Sequence, residues 1–208
     1  MSYIEDGNSN TEFVCSKEKN NIFLIGDSIR LGYCETIKQQ LSDCASVFYI
    51  NDNCRNTQYV ISNIKRWAGL FDNTDLIDVV HFNCGHWDVA HWNGYEQSLT
   101  TEGEYAKNIE MIIKLIQKFF VNAKIIFATT TPMNPDGSIG NNPRYNSEID
   151  RYNKIAVEIA EKNGIVVNDL NGFTRNWGSE NYRDYCHYTP TAFENLGKEV
   201  AARLKKFI

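Results

Sequence analysis

Two short segments at opposite ends of the chain carry residue types suited to nucleophilic catalysis. Near the start, Gly26-Asp27-Ser28 follows the apolar run Ile22-Phe23-Leu24-Ile25. Near the end, Asp184-Tyr185-Cys186-His187 runs into Thr189-Pro190. A serine hydroxyl is a weak nucleophile until a base takes its proton, and an imidazole base works best when a carboxylate fixes its tautomer. Asp-x-x-His spacing lets one tight turn carry both the base and its orienter. Each segment also has an ordinary reading: Ser28 as a helix N-cap, and Asp184 and His187 as parts of a polar surface loop.

The elements around Ser28 would suit such chemistry. After the β-type run, Ile29, Tyr33, Ile37 and Leu41 recur every four residues, which predicts a helix over about 29–41. A buried strand, a tight turn at Gly26-Asp27-Ser28 and a helix starting at or just after Ser28 place the serine at the carboxyl end of a strand. Open α/β sheets bind ligands at that end. The unpaired N–H groups and the dipole of a helix start also favour negative charge there.

The rest of the chain alternates in the same way. Residues 1–20 read as a loosely structured arm. Strands are predicted at Ile22–Ile25, Ser46–Ile50, Leu76–Phe82, Ala123–Thr130 and Ile165–Val167. Between them lie a helix through Trp67 and Leu70, a strongly amphipathic helix marked by Ile109, Ile112, Ile113, Ile116, Phe119 and Phe120, and one marked by Ile149, Tyr152, Ala156 and Ile159. Met133–Asn146 is a long loop, and an aromatic-rich loop covers Phe173–Tyr188. A last helix runs from about Pro190 to Phe207, capped by Thr189 or Thr191. The fold class expected is α/β: a three-layer sandwich with a mainly parallel sheet of about five strands, in one domain over residues 21–208.

Composition narrows the function classes. The 208 residues suffice for one sizeable core. A net charge of -5 and the lack of a dense basic run argue against nucleic-acid binding. No membrane-spanning run and no signal-peptide core are visible, so a cytoplasmic protein is expected, as a secreted one stripped of its signal would also look. Six cysteines without a CxxC pair suggest reduced thiols. His81, His86 and His91 recur every five residues, a period that suits neither one helix face nor one strand face, so no metal is expected. Gly26–Gly32 matches neither a Walker loop nor a dinucleotide fingerprint. The Gly-x-Ser-x-Gly elbow is also absent, because Arg30 stands at its second glycine.

Taken together, Gly26-Asp27-Ser28 and Asp184-x-x-His187 in an alternating α/β chain resemble the SGNH/GDSL hydrolase family over roughly Asn21–Leu204. The resemblance implies a flavodoxin-like sandwich, no cofactor, and a triad of Ser28 as nucleophile, His187 as general base and acid, and Asp184 as orienter. In the family's second block, Cys54 stands where a glycine N–H binds the oxyanion. In its third block, usually Gly-x-Asn-Asp, this chain has Gly85-His86-Trp87-Asp88, with Trp87 in place of the asparagine. The longer run Asn83-Cys84-Gly85-His86-Trp87 resembles the PC-esterase branch, which includes polysaccharide O-acetyltransferases and acetylesterases. Asn83 is then a substitute donor. The oxyanion hole implied comprises the N–H groups of Ser28 and Cys54 with Asn83 or Trp87.

Arg30, Gly85, His86 and Trp177 are assigned to substrate binding. Arg30 either meets an anionic substrate group or pairs with Asp27 or Glu35. Trp87, Trp92, Tyr95, Trp177, Tyr182, Tyr185 and Tyr188 offer flat faces for a sugar ring, or pack the loops down. The function expected is a serine esterase removing a short acyl group, first of all acetyl, from a small-molecule or oligosaccharide ester. An O-acyltransferase with a sugar hydroxyl acceptor would use the same triad. A non-catalytic carbohydrate- or nucleotide-binding module is the alternative of another class.

Overall fold

The computed structural model describes residues 12–137 and 140–208. Its five strands are β1 (Asn20–Ile25), β2 (Ala45–Tyr49), β3 (Val79–Phe82), β4 (Lys124–Ala128) and β5 (Val166–Asn168). They form one sheet, parallel throughout, in the order β2-β1-β3-β4-β5. The helices are α1 (Ser28–Gln40), α2 (Thr57–Ala68), α3 (Glu102–Phe119), α4 (Asn146–Lys162), the short α5 (Leu170–Thr174) and α6 (Pro190–Leu204).

Side chains alternate across the strands and so divide the core in two. Phe23, Ile25, Val80 and Phe82 pack with Val60 and Ile64 of α2, with the isoleucines of α3, and with Ile149 and Ala156 of α4. Ile22, Leu24 and Val79 pack with Tyr33 and Ile37 of α1 and Leu196 and Val200 of α6. Both faces of β1 are therefore covered, which is why its sequence is an unbroken apolar run rather than an alternating one. The result is the expected three-layer α/β sandwich.

The chain passes from β1 to β2 on one side and then crosses to β3 on the other. The switch in direction between β1 and β3 falls at the carboxyl ends of the strands, the usual ligand position in this strand order. Helices α1 and α6 meet closely beside it. A Cβ on Gly32 would stand 2.2 Å from the Phe193 ring, and one on Gly197 would stand 2.6 Å from the Thr36 Cβ.

Several local expectations change. Residues 1–11 of the predicted arm lie outside the described residues, as do 138 and 139 of the Met133–Asn146 loop. The remainder of the arm is anchored rather than loose: Phe13 stacks on Phe48 and Phe71, and the Cys15 N–H donates to Asp72. The third strand starts later than predicted because Asn73 caps a 3-10 turn at Thr74–Leu76. Helix α3 starts well before Ile109, at a capping box made by Thr101 and Glu104. Helix α5 was not expected. Five residues are too few to show a period, and Asp169 nucleates it by accepting the Gly172 N–H. Among the described residues, no helix is long and apolar enough to cross a membrane.

Candidate active site

Helix α1 opens on Ser28, but its N-cap is Asp27, whose carboxylate accepts the Ile29 N–H at 2.9 Å. The Ser28 hydroxyl is thereby left free of capping. It lies 2.8 Å from His187 Nε2, across a sequence separation of 159 residues. His187 Nδ1 lies 2.8 Å from Asp184 Oδ2. The Asp184 Oδ1 accepts the backbone N–H groups of Cys186 at 2.9 Å and His187 at 2.7 Å. The structure thus brings Ser28, His187 and Asp184 into one hydrogen-bonded chain.

This turn precedes α6, which starts at Pro190 with Thr189 as its cap. It is held from three sides. Arg183 and His187 share a backbone bond, Tyr182 pairs with Tyr188, and Asn134 of the loop after β4 bonds Tyr185 and the Asp184 carbonyl. Partial burial pushes the Asp184 carboxyl up, but its two N–H donors and the imidazole outweigh that and hold it below its ordinary value. A carboxylate that stays ionised is what an imidazole base needs beside it.

The predicted oxyanion donors fare unequally. The Ser28 N–H is the first of α1 and has no carbonyl behind it in the helix. The Cys54 N–H, by contrast, donates to the Gly26 carbonyl at 3.1 Å and is therefore committed. The next residue, Arg55, has left-handed backbone (φ 53), and its N–H donates to Asn53 Oδ1. Asn83 is tucked under the nucleophile turn: a Cβ on Gly26 would be 2.0 Å from its Oδ1. Trp87 is half-buried and stacks on Trp92 at 5.1 Å.

The four predicted substrate residues need correction. Arg30 is fully buried, and its guanidinium donates to the carbonyls of Gly26, Ile50 and Asp52, pinning the loop after β2 to the start of α1. It pairs with neither Asp27 nor Glu35 and has no surface left for a ligand. Gly85 is buried against Thr130, whose Oγ1 would be 1.9 Å from an added Cβ. The His86 ring is sealed in and bonded to Thr131 Oγ1. Burial first, then the Arg144 and His187 charges, lower its pKa to about 3. Trp177 stacks on Tyr188 and faces a separate depression with Phe173 and Asn195. All four were assigned from sequence position alone, which carries no information on burial.

Sequence reasoning also missed residues. Ser28 opens onto an open groove of about 470 Å³ whose lining includes Leu31, Gly32, Thr36, Arg183, Phe193 and Glu194. Leu31, one turn on from Ser28, could have been found from helical spacing. A larger depression of about 550 Å³ follows the outer edge of β2 and contains none of the triad residues. Arg144, buried and stacked on Tyr185 of the triad loop, carried no sequence signal.

The three histidines at 81, 86 and 91 go to different partners: Asn168, Thr131, and Glu148 with the Tyr95 carbonyl. Among the described residues, the side chains close enough together to share a metal are Asp184, Cys186 and His187. An ion there would have to take Nδ1 from Asp184 and deprotonate Cys186, whose thiol burial raises to about 12.

No protein-family model matches the sequence, and no curated protein matches it. Solved structures do match in fold. A lipase/acylhydrolase from Enterococcus faecalis aligns with TM-score 0.70 and 19% identity, over 90% of this chain and 96% of its own. The acetyl xylan esterase AlAXEase aligns with TM-score 0.68 and 17% identity, over 88% and 99%. The M. smegmatis aryl esterase aligns with TM-score 0.72 and 13% identity, over 91% and 100%. The chain has the α/β sandwich fold of these ester hydrolases along nearly its whole length.

Proposed function

We propose that the protein is a serine ester hydrolase acting through an acyl-enzyme intermediate. One observation carries this reading: Ser28 Oγ, His187 and Asp184 form a continuous hydrogen-bonded chain at the start of α1, where the helix N-terminus favours negative charge. Ser28 Oγ bonds to the ester carbonyl carbon while its proton passes to His187 Nε2. The oxyanion forms beside the Ser28 N–H, a donor type worth about 2.7–4 kcal/mol at the transition state. The carbon–oxygen bond to the alcohol then breaks, and His187 returns the proton to the departing oxygen. Water repeats the sequence on acyl-Ser28, releasing the acid and restoring the hydroxyl. Asp184 stays ionised and stabilises the imidazolium.

The acyl group proposed is short, with acetyl first, and the alcohol a carbohydrate or similar semi-polar group. Supporting this are the open groove at Ser28, mixed apolar and polar in its lining, and the acetyl xylan esterase among the structures of the same fold. Trp177 and Tyr182 both pack on Tyr188, which leaves fewer aromatic faces for a sugar than the sequence suggested. Release of nitrophenol from p-nitrophenyl acetate and butyrate, beside Ser28→Ala and His187→Ala, tests the reading. Ser28-dependent turnover, faster on acetate, supports it, and turnover unchanged in Ser28→Ala removes it. A Ser28-dependent burst without turnover points to an acyltransferase awaiting its acceptor.

A further inference from the structure

Two arginines are buried near the nucleophile turn, at 0% and 8% exposure, and they differ in how their charge is met. The Arg30 fork is taken up by three carbonyls. The Arg144 Nε donates to the His86 carbonyl at 2.5 Å and its Nη1 to the Asn142 carbonyl at 3.3 Å. Its Nη2 makes no hydrogen bond among the described residues, and no carboxylate of those residues pairs with it. Among the described residues Arg30 likewise has no carboxylate partner, but three carbonyls meet both of its terminal nitrogens, whereas Arg144 keeps one terminal nitrogen unmet, and an unmet charge out of water is costly.

The position of Arg144 ties it to the triad. Its Cζ lies 5.5 Å from the centre of the Tyr185 ring, and that ring meets the His187 imidazole edge-to-face at 6.2 Å. Tyr185 is the residue between Asp184 and Cys186, so the guanidinium stacks on the triad's own turn. The carbonyl it holds belongs to His86, in the loop that leaves β3. Its charge also reaches Asp27 and Cys186, on either side of the reacting pair.

We propose that Arg144 is the anion-recognition residue of this site, and that the ester hydrolysed carries a negatively charged group, such as a carboxylate, next to the scissile bond. The inference rests on the hydrolase reading and names its substrate class. Arginine suits the task because its fork is rigid, always charged and able to stack on an aromatic face while one edge meets an oxyacid. The two carbonyls and Tyr185 hold the fork in place before any ligand arrives.

The test compares meta- and para-acetoxybenzoate with the corresponding acetoxybenzamides, which differ only in charge, measuring kcat/KM for each. The expected preference for the benzoates is about tenfold or more, expressed in KM, and it erodes between about 0.05 M and 0.5 M salt. Arg144→Gln removes the preference, and Arg144→Lys restores part of it. Should the Gln variant fail to fold, Arg144→Lys and Arg183→Gln decide, since Arg183 also lines the groove: a preference reduced by the first and kept by the second supports the assignment, and one lost in Arg183→Gln overturns it. Equal Ser28-dependent turnover of charged and neutral esters overturns this inference and leaves the hydrolase reading standing. No Ser28-dependent turnover of any ester overturns both.

Discussion

Gly32 of α1 and Phe193 of α6 stand so close that a Cβ on the glycine would come within 2.2 Å of the ring. This contact sets how near α6 approaches α1, and the turn carrying His187 enters α6 directly. Ala for Gly inside a helix normally stabilises by about 1 kcal/mol. Here Gly32→Ala is expected to destabilise by about 1–3 kcal/mol through overpacking. It should also lower esterase kcat by moving His187 off Ser28. Thermal melting and p-nitrophenyl acetate kinetics check this, with Phe193→Leu as the compensating change. A melting temperature raised by Gly32→Ala would refute the tight-contact account.

Asp184→Asn keeps the shape of the turn but removes the charge and accepts only one imidazole tautomer. In the best-studied serine triad this change costs about 10⁴ in kcat. A loss of about a thousandfold or more is expected here, with the fold intact by circular dichroism. A loss of less than tenfold would show that the two N–H bonds to Asp184 matter for the turn and not for catalysis.

Arg30→Lys leaves a charge in the same place but only one flexible donor group for three carbonyls. Hydrogen bonds from a charged donor contribute about 1.5–3 kcal/mol each. A stability loss of about 2–4 kcal/mol is expected, read as a lowered denaturant midpoint. Unlike substitution of Arg144, it should weaken turnover of charged and neutral esters alike, since Arg30 supports the turn and touches no ligand.

His81 lies inside β3 between Leu24 and Ile126, and burial lowers its pKa from 6.5 to about 4. The unfolded chain takes up this proton below about pH 6.5 while the folded chain does not. Stability is therefore fully present above 6.5 and falls as pH drops towards 4, by up to about 1.4 kcal/mol per unit. His81→Leu should flatten that part of the stability curve, whatever its effect at neutral pH. Denaturant melts from pH 7 to 4 would show it, and unchanged slopes would mean His81 is already protonated when folded.

Much of the architecture is legible in the sequence because its signals are local. The apolar run Ile22–Ile25, the four-residue period after Ser28 and the Thr189-Pro190 start of α6 each depend on neighbours within a few residues. They place the serine at a strand end and the histidine before a helix without knowledge of anything distant. The late start of β3 and the early start of α3 were misjudged where caps at Asn73 and Thr101 override hydrophobic period.

What the sequence by itself determined is which residues have side chains suited to acid, base and nucleophile chemistry, and that each stands at the end of a regular element. Only the tertiary structure decided which of them meet. Ser28 and His187 touch across 159 residues because β1 is an interior strand of the sheet and α1 packs on α6. The same long-range packing made Arg30 a brace and left one terminal nitrogen of Arg144 without a partner among the described residues, although the two side chains are chemically identical. Periodicity reports whether a residue faces the core. It does not report which carbonyls and carboxylates the fold will place around it, and for a charged group that environment decides the role.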